Sequence, residues 1–135
     1  LNKGSKVATI LIVDDDKDLA GSQKLLLEAS GYEVEVAYSM EEALSRLQTI
    51  KPDLILSDLM MEHFDTGFIL GKKVRDLPGY ENIPIIIQTG ASKKIGFTFD
   101  SSIPDTKKWL KVDEIIDKPV TPEYLLGKIA QHLEK

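Results

Sequence analysis

The sequence predicts an α/β fold: a doubly wound, five-stranded parallel sheet with helices on both of its faces. Two observations predict it. Short β-branched runs alternate with helical stretches along the chain, and repeated β–α alternation in a small domain is typical of a parallel sheet covered by helices. The length of 135 residues suits one domain that buries a core of its own.

The first part of the chain predicts two strands and two helices. Residues 7–13 are apolar at nearly every position, which is typical of a buried strand. Asp16 caps a helix that begins near Lys17 and ends at Gly31. Residues 33–37 alternate valine with glutamate, which favours a strand at a sheet edge. A capping box over residues 39–42 then begins a second helix.

The remaining elements follow the same alternation. Pro52 ends the second helix, and residues 54–56 form a third strand. A loop over 59–66 leads to a third helix that ends at Pro78 and Gly79. Later elements are a strand at 83–87, a short strand at 115–116 and a final helix that begins at Thr121 and Pro122.

Residues 91–113 show no sustained period although they contain Phe97, Phe99 and Trp109. We interpret them as a long irregular connection with a short helix near 106–111. A structureless connection of this length inside a compact domain is usually either functional or wrongly assigned.

Composition excludes several classes of protein. With 22 acidic and 17 basic residues, the net charge of −5 argues against direct binding to nucleic acid. The chain has no cysteine, hence no disulfide and no thiolate metal site. The apolar runs are too short to span a membrane, and no signal peptide begins the chain. We expect a soluble cytoplasmic domain, which starts at Leu1 as a piece of a longer protein would.

Polar residues follow four of the predicted strands. Asp14, Asp15 and Asp16 come after the first strand, and Asp58 after the third. Thr89 follows the fourth strand and Lys118 the fifth. Because ligands bind beyond the carboxyl ends of the strands in open α/β sheets, we expect these side chains to share one pocket.

The grouping predicts phosphate chemistry with a divalent cation. Neighbouring carboxylates repel one another, and oxygen-only ligands favour Mg²⁺ over zinc. The Lys118 ammonium and the Thr89 hydroxyl suit phosphoryl oxygens. Asp58 is the best candidate for a carboxylate nucleophile, because it stands alone at the end of a buried strand.

Four motifs in this order resemble the receiver (CheY-like) domain of two-component response regulators. They are residues 10–16 (ILIVDDD), 52–61 (PDLILSDLMM), 85–90 (IIIQTG) and 117–119 (DKP). The resemblance implies a flavodoxin-like sheet with strand order 2-1-3-4-5. It also implies a single receiver domain over 1–135, with 1–6 flexible and 91–113 an atypical insertion that replaces or modifies the fourth helix.

The resemblance also implies roles for individual residues. Asp58 would be the phosphoacceptor, with Thr89 and Lys118 binding the phosphoryl group. Asp14, Asp15, Asp58 and the backbone carbonyl of Met60 would hold Mg²⁺. The Lys118–Pro119 bond would be cis.

The implied function is a phospho-switch. The chain would receive a phosphoryl group from a sensor histidine kinase or a histidine phosphotransfer protein, assist its own dephosphorylation, and regulate an unidentified output partner or domain. A phosphorylation-dependent dimer is compatible with this function, and no membrane contact is expected. Two alternatives remain: a Mg²⁺-dependent phosphohydrolase, against which Met60 argues because an aspartate is wanted there, and a degenerate receiver that only binds.

Some positions depart from the family pattern. The usual proline and glycine after the acceptor strand are replaced within 62–67, and Ile115 stands where an aromatic residue is usual. The connection from Thr89 to Lys118 is longer than usual by roughly two helical turns. We therefore expect the segment 91–113 to respond to phosphorylation and to form the partner surface. We also interpret His63 as a solvated surface residue, and His132 as a residue that suits the dipole of the final helix.

Overall fold

A computed structural model describes residues 7–63, 65–90 and 112–134 of the chain. The strands are β1 (Thr9–Val13), β2 (Glu33–Ala37), β3 (Leu54–Asp58), β4 (Ile85–Thr89) and β5 (Glu114–Asp117). The helices in this part of the chain are α1 (Lys17–Ala29), α2 (Met40–Arg46), α3 (Thr66–Arg75) and α4 (Pro122–Leu133).

All five strands pair in parallel in one sheet of order β2-β1-β3-β4-β5. This arrangement confirms the predicted fold class and strand order. The polar alternation of β2 is explained by its place at the edge of the sheet. The inner strands are buried on both faces, which explains their nearly continuous apolar sequences.

The core consists of two layers, one on each face of the sheet. Leu11, Ile55 and Ile85 pack on the face covered by α2 and α3. Ile12 and Leu56 pack on the opposite face, which α1 and α4 cover. Full burial of one such side chain contributes roughly 1.5–3 kcal/mol to the stability of the fold. Each face of the sheet therefore needs a covering layer of helices.

The predicted helix caps form as the sequence indicates. The Asp16 side chain accepts a hydrogen bond from Leu19 N–H at 3.1 Å, where α1 begins. Ser39 Oγ does the same for Glu42 N–H at the start of α2, and Glu42 reaches back to Tyr38 N–H rather than to Ser39.

Two strands, β3 and β4, end later in the chain than the sequence predicts. Asp58 and Thr89 are the last residues of β3 and β4, not residues that follow them. Two residues just beyond the strands continue the hydrogen bonding of the sheet. Leu59 N–H donates to the Gln88 carbonyl, and Lys118 N–H donates to the Thr89 carbonyl, each at 2.9 Å. The helices α2 and α3 end several residues before the prolines that were predicted to end them.

Only the end of the segment predicted at 91–113 lies within the described residues. Val112 is buried in the core, and Asp113 Oδ2 accepts hydrogen bonds at 2.8 Å from Arg75 Nη2 and from Ile85 N–H. These two residues therefore belong to the packed body of the domain, which corrects the predicted limit of the insertion. The rest of that segment, 91–111, and residues 1–6 lie outside the described part.

His132 has a different environment from the one predicted. It is buried against β5, with Nε2 at 3.2 Å from Glu114 Oε1. Lys128 Nζ lies 3.5 Å from the other oxygen of Glu114. The histidine thus joins α4 to the edge strand β5 through a carboxylate, beyond any effect on the helix dipole. Among the described helices, none is both long and apolar enough to cross a membrane.

Candidate functional site

The predicted polar residues meet at the carboxyl edge of the sheet. Asp14 follows β1 directly, and Asp58 is the last residue of β3. The loop after β5 brings Lys118 to the same place. Thr89, at the end of β4, is buried and lines the same cavity as Asp58 and Lys118.

Three carboxylates form the acidic part of the site. Each of Asp14, Asp15 and Asp58 offers one oxygen, and these oxygens lie within 4.8 Å of one another. Asp14 is buried, Asp15 is exposed and Asp58 is intermediate. Oxygens at this separation can contact one small cation together.

Asp14 carries an unusual oxygen. Its Oδ1 accepts a hydrogen bond from Asp16 N–H at 2.9 Å, which holds the turn into α1. Its Oδ2 is buried and accepts no hydrogen bond within the described part of the chain. A buried acceptor left without a donor is destabilising, so this oxygen is suited to an external cation.

Lys118 is the cation that the chain itself provides. Its Nζ lies 3.1 Å from Asp58 Oδ1 and 3.8 Å from Asp14 Oδ2. The Lys118–Pro119 peptide bond is cis, as the resemblance implied. The Lys118 ammonium therefore contacts Asp58 but lies beyond hydrogen-bond distance of Asp14 Oδ2.

Burial and repulsion act together on these carboxylates. Desolvation raises the pKa of Asp14 above its usual value, and the neighbouring Asp58 charge raises it further, against the backbone hydrogen bond from Asp16 and the attraction of Lys118. Desolvation also raises the pKa of Asp58, although Lys118 opposes the rise. The protein alone thus disfavours the fully ionised cluster.

The donor set fits Mg²⁺. All three side chains are carboxylates, two of them have raised pKa values, and one has a buried oxygen without a donor. A hard divalent cation binds such oxygens and removes their mutual repulsion.

The loop after β3 packs more tightly than the sequence indicates. Gly67 N–H donates to the Leu59 carbonyl at 2.8 Å, and a Cβ on Gly67 would lie 2.7 Å from the Asp58 carbonyl oxygen. Gly67, the second residue of α3, therefore permits close packing against the end of β3. His63 is exposed, consistent with a solvated surface residue. Met60 is partly exposed at the site, whereas Met61 packs against the core.

Two glutamines to which the sequence motifs assign no role lie beside the site. Gln88 is paired in register with Asp58, so the two side chains lie on the same face of the sheet. Gln23 of α1 and Gln88 exchange hydrogen bonds at 2.8 and 3.2 Å. Both line a cavity of about 760 Å³ that also reaches Asp58, Lys118 and Thr89. The only indication in the sequence is an amide directly after the three isoleucines of β4.

Comparisons with known proteins agree with the geometry. The response regulator receiver domain family matches residues 10–130. The transcriptional regulatory protein YvrH of Bacillus subtilis is 34% identical over 133 residues, which cover 95% of this chain and 50% of YvrH. The chain therefore spans about half the length of that relative.

Solved structures show the same fold. A response regulator from Chloroflexus aurantiacus is 32% identical with a TM-score of 0.80, covering 96% of this chain and 100% of the other. The chemotaxis response regulator CheY4 of Vibrio cholerae is 30% identical with a TM-score of 0.79, covering 94% and 99% of the two chains.

The chain belongs to the response regulator receiver domain family. It is a phosphoacceptor signalling domain with a regulatory role.

Proposed function

We propose that Asp58 is the residue that accepts the phosphoryl group, with Lys118 and Thr89 as the groups that bind it. One observation carries the assignment. Asp58 is the only carboxylate of the described acidic cluster that Lys118 contacts at 3.1 Å, and it lies at the open end of a buried strand.

The chemistry follows from the arrangement of these groups. An oxygen of the Asp58 carboxylate forms a bond to phosphorus, while the bond from phosphorus to the donor's imidazole nitrogen breaks and its electron pair leaves with the nitrogen. The Lys118 ammonium stabilises negative charge on Asp58 and on the phosphoryl oxygens. The Thr89 hydroxyl would donate to a phosphoryl oxygen once that group is attached.

Asp14, Asp15, Asp58 and the backbone carbonyl of Met60 would hold Mg²⁺. The bound ion would supply positive charge to the phosphoryl oxygens and to the crowded carboxylates. Asp14 supports this role through its buried oxygen, and Asp15 through its exposed and adaptable position.

The proposed donor is a phosphohistidine of a sensor kinase or of a histidine phosphotransfer protein. Receiver domains act with histidine kinases and output domains. The relative CqsS of Vibrio cholerae is a sensor kinase/phosphatase that is 32% identical over 134 residues, which make up 18% of that protein. We propose that residues 1–135 act as one receiver domain that controls an output partner and assists its own dephosphorylation.

Intact-mass spectrometry after incubation with acetyl phosphate and Mg²⁺ tests the assignment. The parent protein should gain one phosphoryl group, and Asp58→Asn should gain none, because the amide keeps the shape of the side chain but is not a nucleophile. Asp76→Asn is the matched control, because Asp76 is exposed at the end of α3, away from the site.

The outcome separates the candidate functions. A lasting adduct on Asp58 identifies a switch, whereas rapid phosphate release without an adduct identifies a phosphohydrolase. An unmodified parent protein identifies a binding module only. Equal labelling of Asp58→Asn and the parent would show that another residue is the acceptor.

A further inference from the structure

A buried pair of glutamines connects α1 to the end of β4, and none of the roles above uses it. Gln23 Nε2 donates to Gln88 Oε1, and Gln88 Nε2 donates back to Gln23 Oε1. The two residues are only 6% and 1% exposed. The amides therefore satisfy each other with little exposure, at the wall of the cavity that also reaches Asp58.

Apolar side chains pack against one side of the pair, and the cavity that reaches Asp58 borders the other side. The same face of the sheet is packed with Ile12, Ile86 and Ile116. Removing one amide from such a place leaves the other without a partner, which is destabilising, whereas replacing both by apolar groups of similar shape can be nearly neutral. Stability alone therefore does not require this pair. What hydrogen bonds add over apolar contacts is direction, because they fix one position of the helix relative to the strand.

The pair acts on the strand end that organises the site. Gln88 precedes Thr89, and its carbonyl accepts the N–H of Leu59, the residue after Asp58. The Thr89 carbonyl accepts the N–H of Lys118. A shift in the end of β4 would therefore move the hydroxyl, the ammonium and the loop after the acceptor together.

The other partner of the pair belongs to the acidic side of the site. Helix α1 begins directly after the turn that contains Asp14 and Asp15, and Gln23 lies in the middle of that helix. The hydrogen bonds between Gln23 and Gln88 thus connect α1, which follows the carboxylates, to β4. The end of β4 carries Thr89 and pairs with Lys118.

We propose that Gln23 and Gln88 are positioning residues for phosphoryl transfer to Asp58. Their hydrogen bonds hold α1 and the end of β4 in the one relative position that places Lys118 and Thr89 correctly against the carboxylates. This inference rests on the proposed function, because it assumes that Asp58 accepts the phosphoryl group.

The test uses Gln23→Met, Gln88→Met and the double variant, with Gln131→Met as the matched control at an exposed position of α4. Melting temperature is measured for each, and the rate of Asp58 phosphorylation is measured against acetyl phosphate concentration at saturating Mg²⁺. We expect both single variants to melt lower and the double variant to melt close to the parent.

The double variant should nevertheless react about tenfold more slowly at saturating acetyl phosphate, since small displacements of catalytic groups have effects of this size or larger. The half-saturating concentration should stay the same. A double variant that reacts at the parent rate would overturn the proposal. So would one that melts as low as the single variants or fails to fold, because the pair would then serve stability. The parent is labelled at Asp58 in the same assay, so either result leaves the proposed function standing.

Discussion

Asp14 shows how one residue can be poorly suited to the protein alone and well suited to the protein with its cation. Its backbone position is fixed by hydrogen bonds, with its N–H donating to the Ala37 carbonyl at 3.0 Å. Its side chain is 1% exposed, and one carboxylate oxygen has no donor within the described residues. Burial therefore makes ionisation of this group less favourable than it is in water.

Replacing Asp14 by asparagine should stabilise the metal-free protein. The amide removes a buried charge and its repulsion from Asp58, and it keeps an oxygen for Asp16 N–H. We expect the melting temperature at neutral pH without Mg²⁺ to rise by on the order of 5 °C.

The same substitution should abolish most of the stabilisation that Mg²⁺ gives, because a charged ligand is lost. Asp18→Asn is the control, since Asp18 is exposed in the first turn of α1. If thermal melting showed Asp14→Asn to be less stable than the parent without Mg²⁺, burial of the charge would not be the dominant effect.

At this scale the sequence predicts the charged residues better than the neutral ones. Asp14, Asp58 and Lys118 each belong to a recognisable motif at a strand end, and the topology brings them together. Gln23 and Gln88 are 65 residues apart, and neither belongs to a pattern that predicts a partner. Only the three-dimensional fold shows that they meet.

Among the elements, the start of α3 is held unusually close to the acceptor strand. A Cβ on Gly67 would lie 2.7 Å from the Asp58 carbonyl oxygen and 2.9 Å from Leu59 Cα. Both are backbone atoms, which cannot move aside as the end of a flexible side chain can. The glycine therefore lets α3 begin directly against the residue proposed to carry the phosphoryl group.

Gly67→Ala should destabilise the protein by about 1–3 kcal/mol, through backbone displacement at a tightly packed place. Gly127→Ala is a matched control, because Gly127 is exposed in α4 with no atom within 4 Å of its added Cβ. That control should be stabilising by roughly 0.5–1 kcal/mol, the difference in helix propensity. Urea unfolding measures both, and equal effects of the two substitutions would contradict the close contact.

The start of β5 is fixed by a second contact between elements. Asp113 Oδ2 accepts from Arg75 Nη2 at the end of α3 and from Ile85 N–H at the start of β4. Arg75 Nη1 also donates to the Ile83 carbonyl. This cluster lies at the amino ends of β4 and β5, whereas the acidic site lies at the carboxyl ends of the strands. It therefore affects the stability of the fold and not the reaction.

Asp113→Ala should leave the Ile85 N–H and Nη2 of Arg75 without their acceptor. We expect a loss of about 1–3 kcal/mol in the free energy of unfolding, with the rate of phosphorylation by acetyl phosphate unchanged. Asp53→Ala is a comparison at an exposed position, where one backbone N–H, that of Thr9, loses its acceptor at 2.8 Å. The Asp113 assignment would be contradicted if Asp53→Ala proved the more destabilising in urea.

The boundary of β4 shows why a local sequence pattern predicts the type of an element better than its length. The apolar run of β4 includes Ile85, Ile86 and Ile87, but the strand continues through Gln88 and Thr89. Its last pairings are set by neighbours distant in sequence, such as Lys118 on the loop after β5. Composition within the run carries no information about those partners.

Considered as a whole, the described part of the domain concentrates negative charge where the strands end, and Lys118 and the proposed cation compensate it. The net charge of −5 adds to the negative potential there. Because burial raises the pKa of Asp14 and of Asp58 in the folded state, the free energy of unfolding is linked to their ionisation.

The pH dependence of the metal-free protein follows from the direction of these pKa shifts. Both values are raised in the folded state by burial, so the unfolded chain releases its protons at a lower pH. The contribution of these groups to stability is full below the ordinary value of 3.8 and is lost as the pH rises through the raised values. Ionisation therefore destabilises the folded protein that lacks a cation.

Mg²⁺ should reverse this trend. The ion binds the ionised carboxylates, so its affinity increases as the pH rises through the same pKa values. A ligand at a hundredfold excess over its Kd stabilises the native state by about 2.7 kcal/mol. We therefore expect the increase in melting temperature caused by millimolar Mg²⁺ to be small near pH 4 and to grow to a plateau above the raised pKa values.

Thermal melting with and without Mg²⁺ at several pH values measures this difference directly. Asp14→Asn should remove most of the increase at every pH, whereas Asp76→Asn, at the end of α3, should preserve it. K⁺ at equal ionic strength controls for screening, because a monovalent ion screens exposed charges but does not satisfy three carboxylates. A Mg²⁺ effect of constant size across the pH range, or one that K⁺ reproduces, would show that the ion does not bind the cluster of Asp14, Asp15 and Asp58.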